Sequence, residues 1–339
     1  MTLNQAAEMY FDLKKGLIKP TSYSEFLRIY NKQIRDYIGE VDLETFGSRD
    51  LQKFYNSLVS RKSEQTGANG KTLSLHTAKD YVGLVKTICY FAMEEGEMPE
   101  RRFKLKTPYG FRKHENNQDE YVREEFYEQL IKESSNFSVK NCIGVQAKVF
   151  VILAITTGMR IGEACGVKWE DVDFNNNTIK IQRTVGRIYD SENKNTYIHI
   201  GDPKSETSRR TVILTDVARQ VLLKYQNLLE AQKKSCLPEL FLLPNRHKPQ
   251  EPRTMRQAYA RYLERLNIPY IHPHALRHTF CTYAIDNGVP VKITSSLLGH
   301  ANTSITLDTY THTTEKQIKE TTNLLNTITT AALERSVER

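Results

Sequence analysis

A chain of 339 residues is too long for one typical domain and long enough for two, each with its own core. Its 48 Lys and Arg against 40 Asp and Glu give a net charge of +8 and a pI near 9.0, a balance that favours a polyanionic partner without identifying one. Five scattered cysteines, Cys89, Cys142, Cys165, Cys236 and Cys281, form no C-x-x-C pair, which excludes a zinc knuckle and fits a reducing compartment. The longest apolar run, Val149 to Ile155, falls far short of the ~18 residues that cross a bilayer, and Met1-Thr-Leu-Asn-Gln is no secretory leader.

Residues 1–97 read as a small all-helical domain. Leu3, Ala6, Ala7, Tyr10, Phe11 and Leu13 recur at helical spacing and stop at Gly16. Tyr23, Phe26, Leu27, Tyr30, Ile34 and Ile38 predict a second helix ended by Gly39. Leu51, Phe54, Tyr55 and Leu58 predict a third, and Ala78, Tyr81, Val82, Val85, Ile88 and Phe91 a fourth, with a polar loop from Ser63 to Lys71 between them. At this spacing the aromatic residues are read as core rather than as platforms for bases.

From Met98 to Asp119 the helical period fails and Pro99, Pro108 and Gly110 interrupt the chain, so 98–119 reads as a linker. It carries Arg101, Arg102, Lys104, Lys106, Arg112 and Lys113 against the single acid Glu100 between 100 and 114, a strip suited to a phosphate backbone; a solvated tether is the alternative.

The remainder, 120–339, is mostly helical with one small sheet. Val122, Phe126, Leu130 and Ile131 mark a helix, and Ala147 to Thr156 a more buried one that runs into Gly158 and Arg160. Strands are expected from Thr178 to Val185, from Thr196 to Ile200, and from Arg210 to Leu214, as a three-stranded antiparallel sheet with Lys204 at a hairpin tip. Helices are expected at Asp216 to Leu229, Arg256 to Leu266 and Glu315 to Ala332. No internal repeat or low-complexity segment is present.

Five of the nine histidines fall between His272 and His312, together with Arg277 and Tyr310. His274 and Arg277 are three apart and leave one helix face, so both can converge on one anionic group. His300 follows Gly299, and Tyr310 closes a segment rich in Ser and Thr. His274-x-x-Arg277, Gly299-His300 and Tyr310 resemble the carboxy-terminal signature of the tyrosine recombinases, the phage-integrase family. Thr157-Gly158-Met159-Arg160-Ile161-Gly162-Glu163 is similar to the family's first-arginine motif, and Lys204 falls at its lysine turn. The ordered set is far more specific than any one piece.

The resemblance implies a core-binding domain (1–97) and a catalytic domain (120–339) that clamp duplex DNA, with no metal or other cofactor. Without metal, cleavage of a phosphodiester needs cationic donors where negative charge gathers on phosphorus. Arg160 and Arg277 suit that role because guanidinium forks bind non-bridging oxygens and stay charged, with His300 as a further donor and Glu163 pairing with or orienting an arginine. Tyr310 is the expected nucleophile, His274 the base and Lys204 the acid that protonates the leaving 5′-oxygen. The 3′-phosphotyrosine so formed keeps the energy of the broken bond, so a second strand can reseal it without ATP. Arg209 and Arg210, like the linker residues Arg101, Arg102, Lys104 and Lys106, are expected on backbone phosphates.

The implied partners are double-stranded recombination sites, three further protomers in a tetramer on DNA (monomer or weak dimer when free), and an accessory or directionality protein, in the bacterial cytoplasm at the nucleoid with no membrane attachment. Integration or excision of a phage or conjugative element is the leading reading. A chromosome-dimer or plasmid resolvase and a type IB topoisomerase share the chemistry. A non-catalytic helix-turn-helix regulator built on Val289 to Thr311 explains the charge but leaves Arg160, Lys204 and Tyr310 idle. Because the helices begin at Leu3, an arm-binding domain ahead of them is not expected. The thin apolar stripe of the last helix, Ile318, Leu325, Ile328 and Ala332, is expected to dock on a neighbouring protomer or to close back in cis.

Overall fold

The computed structural model describes residues 1–60, 73–109, 121–138, 144–190, 195–203, 206–245, 248–300 and 302–303. Lys204, Tyr310, His312, Arg112, Lys113 and the stretch 315–332 therefore lie outside the described residues. The chain divides into two units, residues 1–117 with 187–198, and residues 118–186 with 199–339.

In the first unit the apolar spacing becomes helices α1 (Leu3–Lys14), α2 (Pro20–Ile29), α3 (Arg35–Ile38), α4 (Ser48–Ser60) and α5 (Leu75–Glu94). Thr2 Oγ1 accepts from Gln5 N at 3.3 Å while Gln5 Oε1 accepts from Thr2 N at 2.9 Å, a reciprocal cap that fixes where α1 begins. Between α2 and α3 the helix widens through a π turn, Tyr30–Ile34, so the segment expected from Tyr23 to Ile38 is continuous but not uniform. Tyr10, Phe11, Tyr30, Phe54, Tyr55, Tyr81 and Phe91 are buried. Phe11 meets Tyr10, Tyr23 and Tyr30 edge-on at centroid distances of 5.4, 6.0 and 5.7 Å. These rings are core, whereas Phe26, Tyr37 and Tyr90 are exposed.

The segment 98–107, expected as linker, is part of this unit. Met98 and Phe103 enter its core. Ser48 Oγ donates to Arg102 O (3.2 Å) and accepts from Lys104 N (3.0 Å), and Gln52 takes both main-chain groups of Lys106, at 2.8 and 2.9 Å. Two side chains of α4 thus stand in for a neighbouring strand. The helical period does fail here, but a period of two replaces it, with Phe103 inward and Arg102, Lys104 and Lys106 exposed. Residues 187–198 also belong to this unit, where Ser24 Oγ donates to Tyr189 O at 3.0 Å and accepts from Tyr189 N at 3.1 Å.

The second unit is built round α7 (Val145–Thr157), which follows α6 (Glu124–Ser135) and leads into the short α8 (Ile161–Gly166). Ten residues of α7 are buried on all sides, as a helix without a polar face requires. In chain order the strands β1 (Val172–Asp173), β2 (Thr178–Ile181), β3 (Thr184–Asp190), β4 (Asn195–Gly201) and β5 (Arg210–Ile213) come next, of which residues 187–198 of β3 and β4 count with the first unit. They are followed by α9 (Asp216–Ala231), the β6–β7 pair (Pro244–Asn245, Lys248–Pro249), α10 (Pro252–Arg265), α11 (Pro273–Asp286) and α12 (Val291–Leu298). α7 packs against α6, α9, α10 and α11.

A three-stranded antiparallel sheet is present, but its membership differs from the expected one. Its order is β1-β2-β5, and β3 and β4 form a separate two-stranded ribbon. Arg183 explains the break: its Nη1 donates to Asp171 Oδ2 at 2.5 Å and to Gly166 O at 3.2 Å, which ends β2 before β3 starts. β5 then pairs with β2, setting Arg210 opposite Ile181 and Val212 opposite Ile179. No described helix is long and apolar enough to cross a membrane.

Candidate active site

The motif that begins at Thr157 works through its glycine. Gly158, at φ +67°, ends α7 in the left-handed region, and a Cβ there would lie 2.6 Å from Leu298 Cδ2 and 2.7 Å from Phe280 Cδ1. The sharp turn places Arg160 at the start of α8. Glu163, one turn on, accepts from Arg160 N with Oε2 (2.9 Å) and from Arg160 Nη1 with Oε1 (2.8 Å). Glu163 is thus both the cap of α8 and the partner of the catalytic candidate.

α11 supplies the second arginine. His272 is its N-cap, with Nδ1 accepting from His274 N at 3.2 Å, a structural role. Arg277, one turn in, is 2% exposed and donates to Gly158 O and Leu298 O, both at 2.7 Å. It joins the end of α7 to the end of α12 and forms the floor of the site. His274 lies on the same side of α11, edge-on to His278 at a centroid distance of 4.7 Å. Gly299, φ +69°, caps α12 in the left-handed region and delivers His300, whose N donates to Ser295 O at 3.1 Å.

Charge is unbalanced here. Arg160, Arg210 and Arg277 gather round one carboxylate, Glu163, among the described residues. Burial by itself raises the Glu163 carboxyl, but the hydrogen bond and charge of Arg210, and then those of Arg160, outweigh it and hold the group below the usual range. Burial, with Arg160 and Arg210 adding, pushes Arg277 down to about 9, which leaves it charged at neutral pH. Burial followed by the nearby His278, Arg277 and Arg160 pushes His274 down to about 4. Burial, then Arg277, Arg160 and Arg210, brings His300 to about 4 as well. Both imidazoles are neutral at pH 7, so each can accept a proton or offer a single N–H, and the excess of guanidinium favours an anion.

The other expected site residues divide. Arg102, Lys104 and Lys106 are exposed on the outer face of the docked segment. Arg101 is not available in the same way: Nη1 donates to Phe46 O at 2.7 Å and Nη2 to Glu44 O at 2.8 Å. Arg209 is exposed and paired with Asp202. Arg210, expected on a phosphate, turns inward to Glu163, an inner role whose signal is nonetheless present in the sequence. Alternation in Arg209-Arg210-Thr211-Val212 places Arg210 on the face of the buried Val212 and Arg209 on the other. His274 and His278 have no third ligand beside them among the described residues. Lys204 and Tyr310 are not among the residues described.

The model of the Phage integrase family matches residues 120–317, and that of the Phage integrase N-terminal SAM-like domain residues 2–59. A tyrosine recombinase XerC-like protein of Caldanaerobacter subterraneus is 27% identical over 93% of this chain and 80% of its own. Tyrosine recombinase XerC of Bacillus subtilis is 26% identical over 76% of each. Among solved structures, the Tn1549 transposon integrase in complex with a circular intermediate DNA covers 96% of this chain and 99% of its own, with a TM-score of 0.72 and 18% identity. A lambda integrase dimer bound to a COC′ core site covers 91% and 95%, with a TM-score of 0.60 and 15% identity. With the same mainly helical fold and with more than half its length matched by the family's own model, this chain belongs to the phage integrase family of tyrosine recombinases.

Proposed function

We propose that the protein is a site-specific recombinase that cuts and rejoins duplex DNA through a 3′-phosphotyrosyl intermediate and a Holliday junction, and that it integrates or excises a mobile element. The observation that carries this reading is the excess of guanidinium at the half-buried Arg160 and the buried Arg277, beside two neutral imidazoles, in a chain of the tyrosine recombinase family. A phosphodiester brings the missing negative charge, and the same cations stabilise the further charge that builds as phosphorus becomes pentacoordinate.

In the proposed reaction Tyr310 Oη attacks phosphorus and the bond to the 5′-oxygen breaks. The neutral imidazole of His274 takes the phenolic proton, and Lys204 gives one to the leaving oxygen. Attack by the 5′-hydroxyl of another strand reverses the sequence of bonds and frees Tyr310. Arg160 and Arg277 hold non-bridging oxygens, His300 donates to one of them, and Glu163 keeps Arg160 in place. The basic face of Arg102, Lys104 and Lys106 lies along the backbone of the same duplex. Four protomers act on two sites, the carboxy-terminal stretch from about 315 docks on a neighbour, an accessory protein sets direction, and the work takes place in the cytoplasm.

A pool of nicked duplexes with randomised sequence, incubated with the protein and run on a denaturing gel, tests the chemistry. Wild type is expected to leave a covalent adduct whose DNA reports the site, and Tyr310→Phe to bind the same DNA without one. An adduct from the Phe variant removes Tyr310 as nucleophile, and none from wild type favours a non-catalytic regulator. Deleting Thr314 to Arg339 is expected to spare half-site binding and abolish cooperative assembly on a full site. A truncated protein that unfolds instead places that segment in cis.

A further inference from the structure

We propose that Arg210 is a positioning residue of the active site, acting through Glu163 on Arg160 and through the end of α12 on His300. The inference rests on the reading of Arg160, Arg277 and His300 as the phosphate-binding set.

Arg210 is the first residue of β5, and its side chain is 6% exposed. Nη2 donates to Glu163 Oε2 at 3.0 Å and Nη1 to Oε1 at 3.2 Å, a two-point fork that fixes the plane of the carboxylate. Each of those oxygens also accepts from Arg160, Oε1 from Nη1 and Oε2 from the main-chain N. With the carboxylate held from one side, Arg160 has a single place to sit on the other.

The same guanidinium serves a second segment. Its Nε donates to Leu297 O at 2.5 Å and Nη1 to Ser208 O at 3.1 Å. Arg277 takes the next carbonyl, Leu298 O. Gly299 sits so close that a Cβ would lie 3.0 Å from Arg210 Cδ and 2.9 Å from Thr207 O. The residue before His300 therefore rests on Arg210. One side chain locks segments that lie at 163, 210 and 297 in sequence, and it bears on Arg160 through Glu163 and on His300 through the end of α12. Lysine cannot copy this, since a single ammonium lacks the planar fork that meets Glu163 and Leu297 O together.

The test uses the full-length protein and the nicked duplex that wild type recovers from the randomised pool. For Arg210→Ala and Arg210→Lys, affinity for the intact duplex is expected within about twofold of wild type with an unchanged salt slope, while adduct formation slows roughly a hundredfold. The acid limb of the pH–rate profile is expected to move towards neutral pH, because Glu163 loses the fork that holds its carboxyl low. Adding Arg210→Lys to Glu163→Gln is expected to slow cleavage no further than Glu163→Gln alone, as for two residues acting in one chain of contacts. A purely structural role lowers the melting temperature and leaves the pH profile of the folded variant where it was, which overturns the proposal. So does wild-type cleavage, and so does a flattened salt slope with weaker binding, which makes Arg210 a phosphate ligand. If Arg210→Ala does not fold, Arg210→Lys decides, and normal cleavage by it at every pH refutes the assignment. The variants are scored only against a wild type that cleaves; absence of any wild-type adduct sinks the recombinase reading and this proposal with it.

Discussion

The two units treat their cations in opposite ways. In the helical unit the core is apolar and aromatic, and Arg102, Lys104 and Lys106 stand on its outside, while the guanidinium of Arg101, drawn inward, is satisfied by carbonyls. In the other unit Arg277 and Glu163 are each 2% exposed, and Arg210 joins them. Burying charge carries a desolvation penalty that a hydrophobic cluster of like volume avoids, so such a cluster is weak evidence for stability and better evidence for a site. The first unit is built to present charge, and the second to concentrate it.

The largest expected effect that sharpens this contrast comes from Glu163→Ala, which leaves Arg160 and Arg210 without their carboxylate. A loss of about 3–5 kcal/mol in unfolding free energy is expected, the usual result of removing one partner from a buried pair, and adduct formation should vanish with it. Urea unfolding measures the first; a change under about 1 kcal/mol means the cluster is more hydrated than the geometry implies.

Acid is expected to weaken the site-bearing unit next. His274 and His300 are held near pKa 4 against an ordinary 6.5, so between those values the unfolded chain binds protons that the native one refuses. Stability should be flat above about pH 7 and fall as pH drops through that window. His300→Gln should remove part of the slope in urea midpoints taken from about pH 7.5 to 5, and an unchanged slope assigns it elsewhere.

Smaller effects belong to the helical unit. Arg101→Ala is expected to lose about 1–2 kcal/mol, since two main-chain carbonyls forfeit a charged donor, with no change in the salt dependence of DNA binding. Neutralising Arg102, Lys104 and Lys106 together reverses the pattern, with stability within about 0.5 kcal/mol of wild type. Its log K against log salt should flatten by about 0.9 for each phosphate that these side chains neutralise. An unchanged slope leaves the docked segment no part in DNA binding.

Much of this is legible in the chain. Helical periods, with Gly16 and Gly39 beyond their ends, outline the helical unit, and the spacing of Thr157 to Glu163, His274 to Arg277 and Gly299-His300 selects side chains that do lie together in one unit. Where expectation and fold part, a local rule operates with a different period or through a distant partner. The segment 102–106 lacks the helical period and so reads as linker, though its alternation of two is intact. Strands adjacent in sequence suggest a sheet that the fold does not make, because the anchoring of Arg183 on Asp171, which breaks that order, depends on a contact that no alternation reveals.

Sequence by itself determined the residue types and the face on which each lies, because periodicity and backbone chirality are local properties of the chain. It also determined the family, whose motifs keep their order whatever the fold does between them. Tertiary structure alone decided which cation meets which anion. Arg209 and Arg210 are the same residue one position apart, yet one pairs at the surface with Asp202 and the other in the interior with Glu163, 47 residues away. That choice was made by the pairing of β5 with β2 and by the left-handed turns at Gly158 and Gly299, which bring distant segments within hydrogen-bond reach. Coulomb attraction and desolvation depend on distance in space rather than along the chain, so the partner of a charge is fixed only when the chain has closed on itself.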